Sequence, residues 1–363
     1  MNGKLNIWKI LFLLFLMVGT IYIIRNNQTR IEQEKASKNW QKIDAKGNRY
    51  TSSTIDEHYI CNRGNVFGTY YSITYRSAED RHEAIRARLA AVDNSLSPFN
   101  KNSLISAINE NRDTIADAMF TAVFNLAQKV SEKTGGAFDI TVAPLVNAWG
   151  FGFKNGMAVD SATIDSLCRY IGYKNITLND GKITKQFPQT MLDCSAIAKG
   201  YGCDAVAELL TENGVTDFLV EIGGEVVARG NNPKGKEWRI GISKPVDDPS
   251  GKSTELQTAI NASGKGMATS GNYRNYREVD GRKIAHTIDP RTGYPVNHSL
   301  LSATVIADDC ATADAYATAF MVMGVEKAME ICRNDSSIEA FLIYSDNDGT
   351  LKTAETEGMK KFY

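Results

Sequence analysis

From Asn62 to Tyr363 no Pro-, Gly- or Ser-rich stretch interrupts the sequence, and helical and strand periodicities alternate through it irregularly. That pattern constrains the chain to one large domain in which helices and strands share a core. The chain has 363 residues, 43% of them hydrophobic, so it can bury that core without a disulfide scaffold. Helical spacing sets Ile85, Leu89, Val92 and Leu96 on one face. It does the same for Phe120, Val123, Phe124, Ala127 and Val130, where Gly135-Gly136 stops the helix. Asp160 or Ser161 can cap a helix that holds Ile164, Leu167 and Ile171. Two further helices run over about residues 196–213 and 309–323. Strand alternation marks residues 70–75, then Phe218, Val220 and Ile222, then Trp238, Ile240 and Ile242. Residues 303–306 and 340–344 are apolar runs of strand length. Without clean βαβ units, the order favours α+β over a doubly wound parallel sheet.

Residues 7–24 are almost wholly apolar, broken only by Lys9. As a helix rising about 1.5 Å per residue they span roughly 27 Å, close to a bilayer core. Lys4 and Lys9 on one side and Arg25 and Arg30 on the other leave the orientation open, and no Ala-x-Ala cleavage site follows. The expected organisation is a short cytoplasmic N-terminus (1–6), a signal anchor (7–24), a polar linker (25–60) and an exported domain (61–363) outside the cytoplasmic membrane. A net charge of −1 leaves no positive excess for a nucleic-acid partner. The six cysteines form no C-x-x-C pair, which argues against zinc, and their scatter favours buried free thiols. Cys194 and Cys310 are the pair that a shared site would draw together.

Two phosphate signals fail. Gly230 to Lys236 matches G-x-x-x-x-G-K, but Glu237 stands where a P-loop needs Ser or Thr, and a strand follows instead of a helix. No G-x-G-x-x-G follows a strand. Four other segments are denser in Gly, Asp, Thr and Pro than packing requires. In the first, residues 136–152, aromatics among glycines offer a face for a planar ring. In the second, residues 193–201, Asp193 precedes a helix start whose N–H groups suit phosphate, and Lys199 adds a positive charge. The third joins residues 269–273 with residues 286–293, which carry His286. In the fourth, Asp314 and Thr318 share a helix face, and two oxygen side chains there suit a hard cation such as Mg²⁺. Singly, each has a plainer reading: core aromatics, a helix-capping Asp193, an ordinary hydrogen-bonded His286, a solvated Asp314–Thr318 pair.

Together the segments G-A-F-D-I-T-V-A-P-L-V-N-A-W-G-F-G, D-x-x-x-I-A-K-G-Y, G-G, W-R-I-G-I-x-x-P, T-S-G-N-Y, H-x-I-D-P-R-T-G and A-D-A-x-A-T stand in an order that resembles the ApbE family, over roughly residues 67–323. The resemblance implies a single large α+β domain with mixed sheets and packed helices. It also implies a Mg²⁺-dependent transfer of FMN from FAD, the substrate, onto a threonine of an acceptor protein, with AMP leaving. The family's acceptors are flavin-carrying subunits of membrane redox complexes. Matching positions give Asp193 and Lys199 as FAD contacts, and Ala148, Trp149 and Gly150 where FAD is wrapped. The same matching gives Ile288 as a flavin contact beside His286, the expected general base. The Ala196 carbonyl, Asp314 and Thr318 fall on the metal positions. Phe67, in Phe67-Gly68-Thr69, stands where the family usually has Met, and Phe99 sits where an aromatic is common before Ser103. Cys194-Ser195 replaces a commoner Leu-Gly pair, which suggests an altered loop, since Ser tolerates positive φ poorly. The alternatives with the same residues are an FAD pyrophosphatase and a non-enzymatic FAD-binding protein.

Overall fold

The computed structural model describes residues 42–43, 49–55, 58–154, 159–245, 255–272, 276–279 and 282–363. The apolar run 7–24 and Tyr273 lie outside the described residues. Among those described, no helix is long and apolar enough to cross a membrane. The chain divides into two compact units, residues 1–51 and 52–363. In the smaller, Lys42 pairs antiparallel with Tyr50 and Ile43 with Arg49.

The larger unit is organised on one sheet. Its strands are β1 (Tyr59–Val66), β2 (Thr69–Arg76), β3 (Phe218–Ile222), β4 (Glu225–Arg229), β5 (Lys265–Gly271), β6 (Leu300–Ala307), β7 (Glu339–Ser345) and β8 (Leu351–Glu355). Each lies beside the next in chain order, antiparallel throughout. The expected mixed sheets are therefore corrected: parallel pairing among the described residues is confined to isolated bridges, Val142 with Met191 and Ala228 with Ser263. The physical reason is the connection type. Neighbours in sequence pair directly, and the helices are carried in long excursions that return antiparallel instead of crossing over.

The longest excursion, from β2 to β3, carries α1 (His82–Leu96), α2 (Leu104–Asn109), α3 (Ala118–Lys133), α4 (Ala143–Ala148), α5 (Ser161–Cys168) and α6 (Ala198–Glu212). Between β6 and β7 lie α7 (Cys310–Met323) and α8 (Val325–Asn334). The periodic faces of α1 and α3 are buried as their spacing requires. Asp160, not Ser161, caps α5 by accepting from Thr163 N at 2.7 Å. Ile171 falls beyond the end of α5, in the chain after it.

α7 is buried nearly all round, including Ala311, Ala313, Ala315, Ala317 and Ala319. Short alanine side chains let the sheet and α6 approach it closely. The start of α7 is held by three carboxylate contacts: Asp309 accepts from Thr312 N, and Asp204 of α6 accepts from Cys310 N and Ala311 N at 2.8 Å each. Those satisfy N–H groups that a helix start leaves unpaired. Two glycines fit against the same end. A Cβ on Gly266 of β5 would come 2.2 Å from Cys310 N, and one on Gly200 would come 2.4 Å from Cys310 O. Both obstacles are backbone. Gly266→Ala is expected to destabilise the fold by about 1–3 kcal/mol, the usual range for an overpacked core. Denaturant unfolding checks this: the midpoint should fall with an unchanged slope, and an unchanged midpoint would refute the clamp.

The six cysteines are free. Cys194 and Cys310 form no disulfide with each other. Cys194 packs in the main core cluster and Cys310 in the one under β2 and β3. Residue Cys203, one turn beyond Lys199 on α6, is the thiol that meets Cys310.

Candidate active site

At the contact of α6 with α7, Asp314 is buried. Its Oδ2 accepts from Gly200 N at 3.0 Å, and its Oδ1 lies 4.0 Å from the Lys199 ammonium. Lys199 also forms an ion pair with Glu225, the first residue of β4. Glu225 follows a tight β3–β4 turn in which Gly223 and Gly224 both have positive φ, 63° and 107°. That turn swings the carboxylate inward, where it is 3% exposed. Its Oε2 has no hydrogen-bond partner. Burial pushes both the Glu225 and the Asp314 carboxyl up, and the Lys199 charge opposes this. Burial alone would lower Lys199, but the two carboxylates outweigh it and hold its ammonium charged.

Thr318 stands one turn after Asp314, with its hydroxyl 3.2 Å from that of Ser270 on β5. Ala196 lies in the turn that leads into α6, four residues ahead of Gly200, and packs against the main core. The donor set fits a hard divalent cation. It offers the buried Asp314 carboxylate and the half-buried Thr318 hydroxyl, in surroundings where two buried carboxylates face one ammonium. Among the described residues no group of three or more His, Cys, Asp or Glu is placed to hold a metal.

Asp193 does not cap α6, which begins at Ala198 with no side-chain cap. It closes the turn before it, accepting from Ser195 N at 2.8 Å, and burial pushes its carboxyl up. Ser195 is not among the residues with positive φ, so the Cys194-Ser195 pair costs no left-handed strain. Both backbone groups of the preceding Leu192 are bracketed by the Asn109 amide, at 2.7 and 2.8 Å. Phe67 does take positive φ, 51°, beside Gly68 at 72°, in the two-residue turn joining β1 to β2. A bulky residue rarely adopts that conformation. Its ring packs toward α6, where Gly202 leaves room for it.

Aromatic residues gather along the first segment. Trp149 follows α4, and its indole N–H donates to Gly293 O at 2.9 Å. Ala148 is buried beneath it, and Gly150 has φ 78°. Trp149 meets Tyr294 edge-on, and Phe151 meets the His286 ring edge-on at 6.4 Å. Phe99 is 62% exposed and touches Phe153. Ile288 is buried in the small core cluster on which Trp149 and Phe151 pack. His286 is half-buried.

Hydrogen bonds close the four segments into a ring. Asp193 N donates to Ile140 O at 2.7 Å, joining the second to the first. Gly200 N to Asp314 joins the second to the fourth. Thr318 to Ser270 joins the fourth to the third. Thr287 Oγ1 donates to Asn272 Oδ1 at 2.7 Å, joining the two halves of the third. Trp149 to Gly293 returns to the first. Sequence reasoning missed Glu225, Asn109 and Asp204. Only Glu225 carried a signal, a carboxylate directly after Gly-Gly at the head of an apolar strand.

Solved flavin transferases share this overall fold. The fold is similar to that of the flavin transferase ApbE from Vibrio cholerae, with TM-score 0.76 and 32% identity over 86% of this chain and 100% of that one. It is also similar to the flavinyl transferase ApbE of Pseudomonas stutzeri in its apo form, with TM-score 0.74 and 29% identity over 86% and 98%. By sequence the chain is similar to the FAD:protein FMN transferase of Haemophilus influenzae, 37% identical over 309 residues, 80% of this chain and 88% of that protein. The FAD:protein FMN transferase of Escherichia coli K12 is 35% identical over 315 residues, 82% and 88%. Residues 67–342 match the ApbE family, and the chain belongs to it.

Proposed function

We propose that this chain is an FAD:protein FMN transferase that moves FMN from FAD onto a threonine hydroxyl of an acceptor protein and releases AMP. The observation that carries the reading is the closed ring. Its hydrogen bonds tie to one another the segments that bear Trp149, His286, Lys199 and the Asp314–Thr318 oxygens, on a chain whose relatives bear that activity in their names.

The threonine oxygen attacks the FMN-side phosphorus, an O–P bond forms, and the bond to the AMP oxygen breaks. Positioning and charge neutralisation dominate such a transfer. His286 takes the threonine proton, held by its edge contact with Phe151 and by the Thr287–Asn272 bond beside it. Lys199 faces the diphosphate. Asp314 and Thr318, with the Ala196 carbonyl, would hold Mg²⁺, and what its charge would supply there is neutralisation of the diphosphate oxygens. Trp149 and Phe99 supply ring faces for the flavin or adenine, with Ala148 and Gly150 leaving backbone close by. Asp193, Ile288 and Phe67 complete the wall of the FAD site.

Incubation with FAD, Mg²⁺ and a flavin-acceptor subunit of a membrane redox complex should give a fluorescent acceptor band in a denaturing gel. An acceptor that stays dark would contradict the reading. Residues 7–24 serve as a membrane anchor with the larger unit on the extracytoplasmic side. Fractionation of cells should place the full-length chain in the membrane with that unit protease-accessible from outside. A processed, freely soluble form would refute the anchor, and a shielded unit the topology.

A further inference from the structure

The Lys199 ammonium lies between two carboxylates that are each 3% exposed at the side chain, while its own side chain is 30% exposed. Its nearer partner is Glu225; Asp314 stands at 4.0 Å. One Glu225 oxygen makes the ion pair, and the other is buried with no hydrogen-bond partner. A buried carboxylate left half-satisfied carries a cost that packing alone does not explain. If Lys199 moved fully onto Asp314, it would occupy the oxygen that a cation needs. A divalent cation and an ammonium on one carboxylate repel each other strongly where water is excluded.

We propose that Glu225 is a positioning residue that keeps the Lys199 ammonium off Asp314, leaving Asp314 open to the cation and the ammonium aimed at the diphosphate. This rests on the assignment of the cation to Asp314 and of the diphosphate to Lys199. The Gly223-Gly224 turn serves the same end. Its positive φ values bring the head of β4 against the first turn of α6, so the ammonium has a second carboxylate within reach. Without Glu225, the electrostatically favoured partner left to Lys199 is Asp314, and the cation must then break that pair to enter.

The test is Mn²⁺ binding to the full chain, read from the spin-resonance signal of free Mn²⁺, with and without FAD. Glu225→Gln should weaken Mn²⁺ binding about tenfold in both conditions, a coupling of ordinary size for groups in one network. Glu225→Asp, which keeps the charge, should restore most of the loss. In a Lys199→Met background, Glu225→Gln should change Mn²⁺ binding by less than about twofold, because the competitor is gone. Equal weakening in both backgrounds would overturn the proposal, since Glu225 would then act on the cation directly or on the fold. Unchanged binding in Glu225→Gln would overturn it as well. If Asp314→Asn binds Mn²⁺ as the unaltered chain does, the cation assignment itself falls, and that outcome is read independently of Glu225.

Discussion

Replacing His286 with alanine is expected to lower FMN transfer by about 10²–10⁴-fold, the usual cost of removing a general base, while FAD binding stays nearly unchanged. The separation of the two effects follows from how the loop is held. Its neighbours carry the anchoring: Thr287 bonds to Asn272, and Ile288 is buried in the cluster below Trp149 and Phe151. His286 is half-buried and meets Phe151 edge-on, while the segment's anchoring through Thr287 and Ile288 does not depend on its ring. Single-turnover transfer gives the rate, and flavin fluorescence titration gives FAD affinity. A folded His286→Ala chain that transfers FMN at a near-normal rate would assign the proton to another group. One that loses FAD binding in step with transfer would make His286 a binding residue.

Asp314→Asn is expected to cost at least about a hundredfold in Mg²⁺-dependent transfer, comparable to deleting one preorganised electrostatic group from an active site. The substitution is nearly isosteric. The asparagine oxygen can still accept from Gly200 N, the bond by which Asp314 ties α7 to α6, so the fold should persist. What disappears is one negative charge in a place where burial makes charge count. Thermal unfolding of the variant should stay close to that of the unaltered chain, and the Mg²⁺ concentration for half-maximal transfer should rise. Full transfer with unchanged Mg²⁺ dependence would remove Asp314 from the cation site.

Much of this was legible in the sequence wherever a single period or a local signal decides the outcome. The 3.6-residue faces of α1 and α3 and the alternation in β2 and β3 appear where the apolar pattern puts them. β1 is different. Its run Tyr-Ile-Cys-Asn-Arg-Gly-Asn-Val lacks alternation because Asn62 is buried for a polar reason, accepting from Tyr75 at 2.9 Å. The antiparallel order of the sheet was not legible either, since periodicity does not report strand direction. The residues of the ring were visible as motifs, but their closure rests on backbone bonds such as Asp193 N to Ile140 O, which no side-chain pattern encodes. Asp204 escaped notice because it caps a helix about a hundred residues away in sequence, a tertiary contact that capping rules for neighbouring residues do not describe.

The central claim is that FMN goes to a protein and not to water. Its most direct test is a stoichiometric one: the full chain is incubated with FAD, Mg²⁺ and a flavin acceptor, and AMP release is measured beside the intact mass of the acceptor. The account predicts one AMP for each acceptor molecule that gains FMN less water, and no gain on an acceptor whose target threonine is replaced by valine. AMP and free FMN accumulating while the acceptor mass stays unchanged would contradict it.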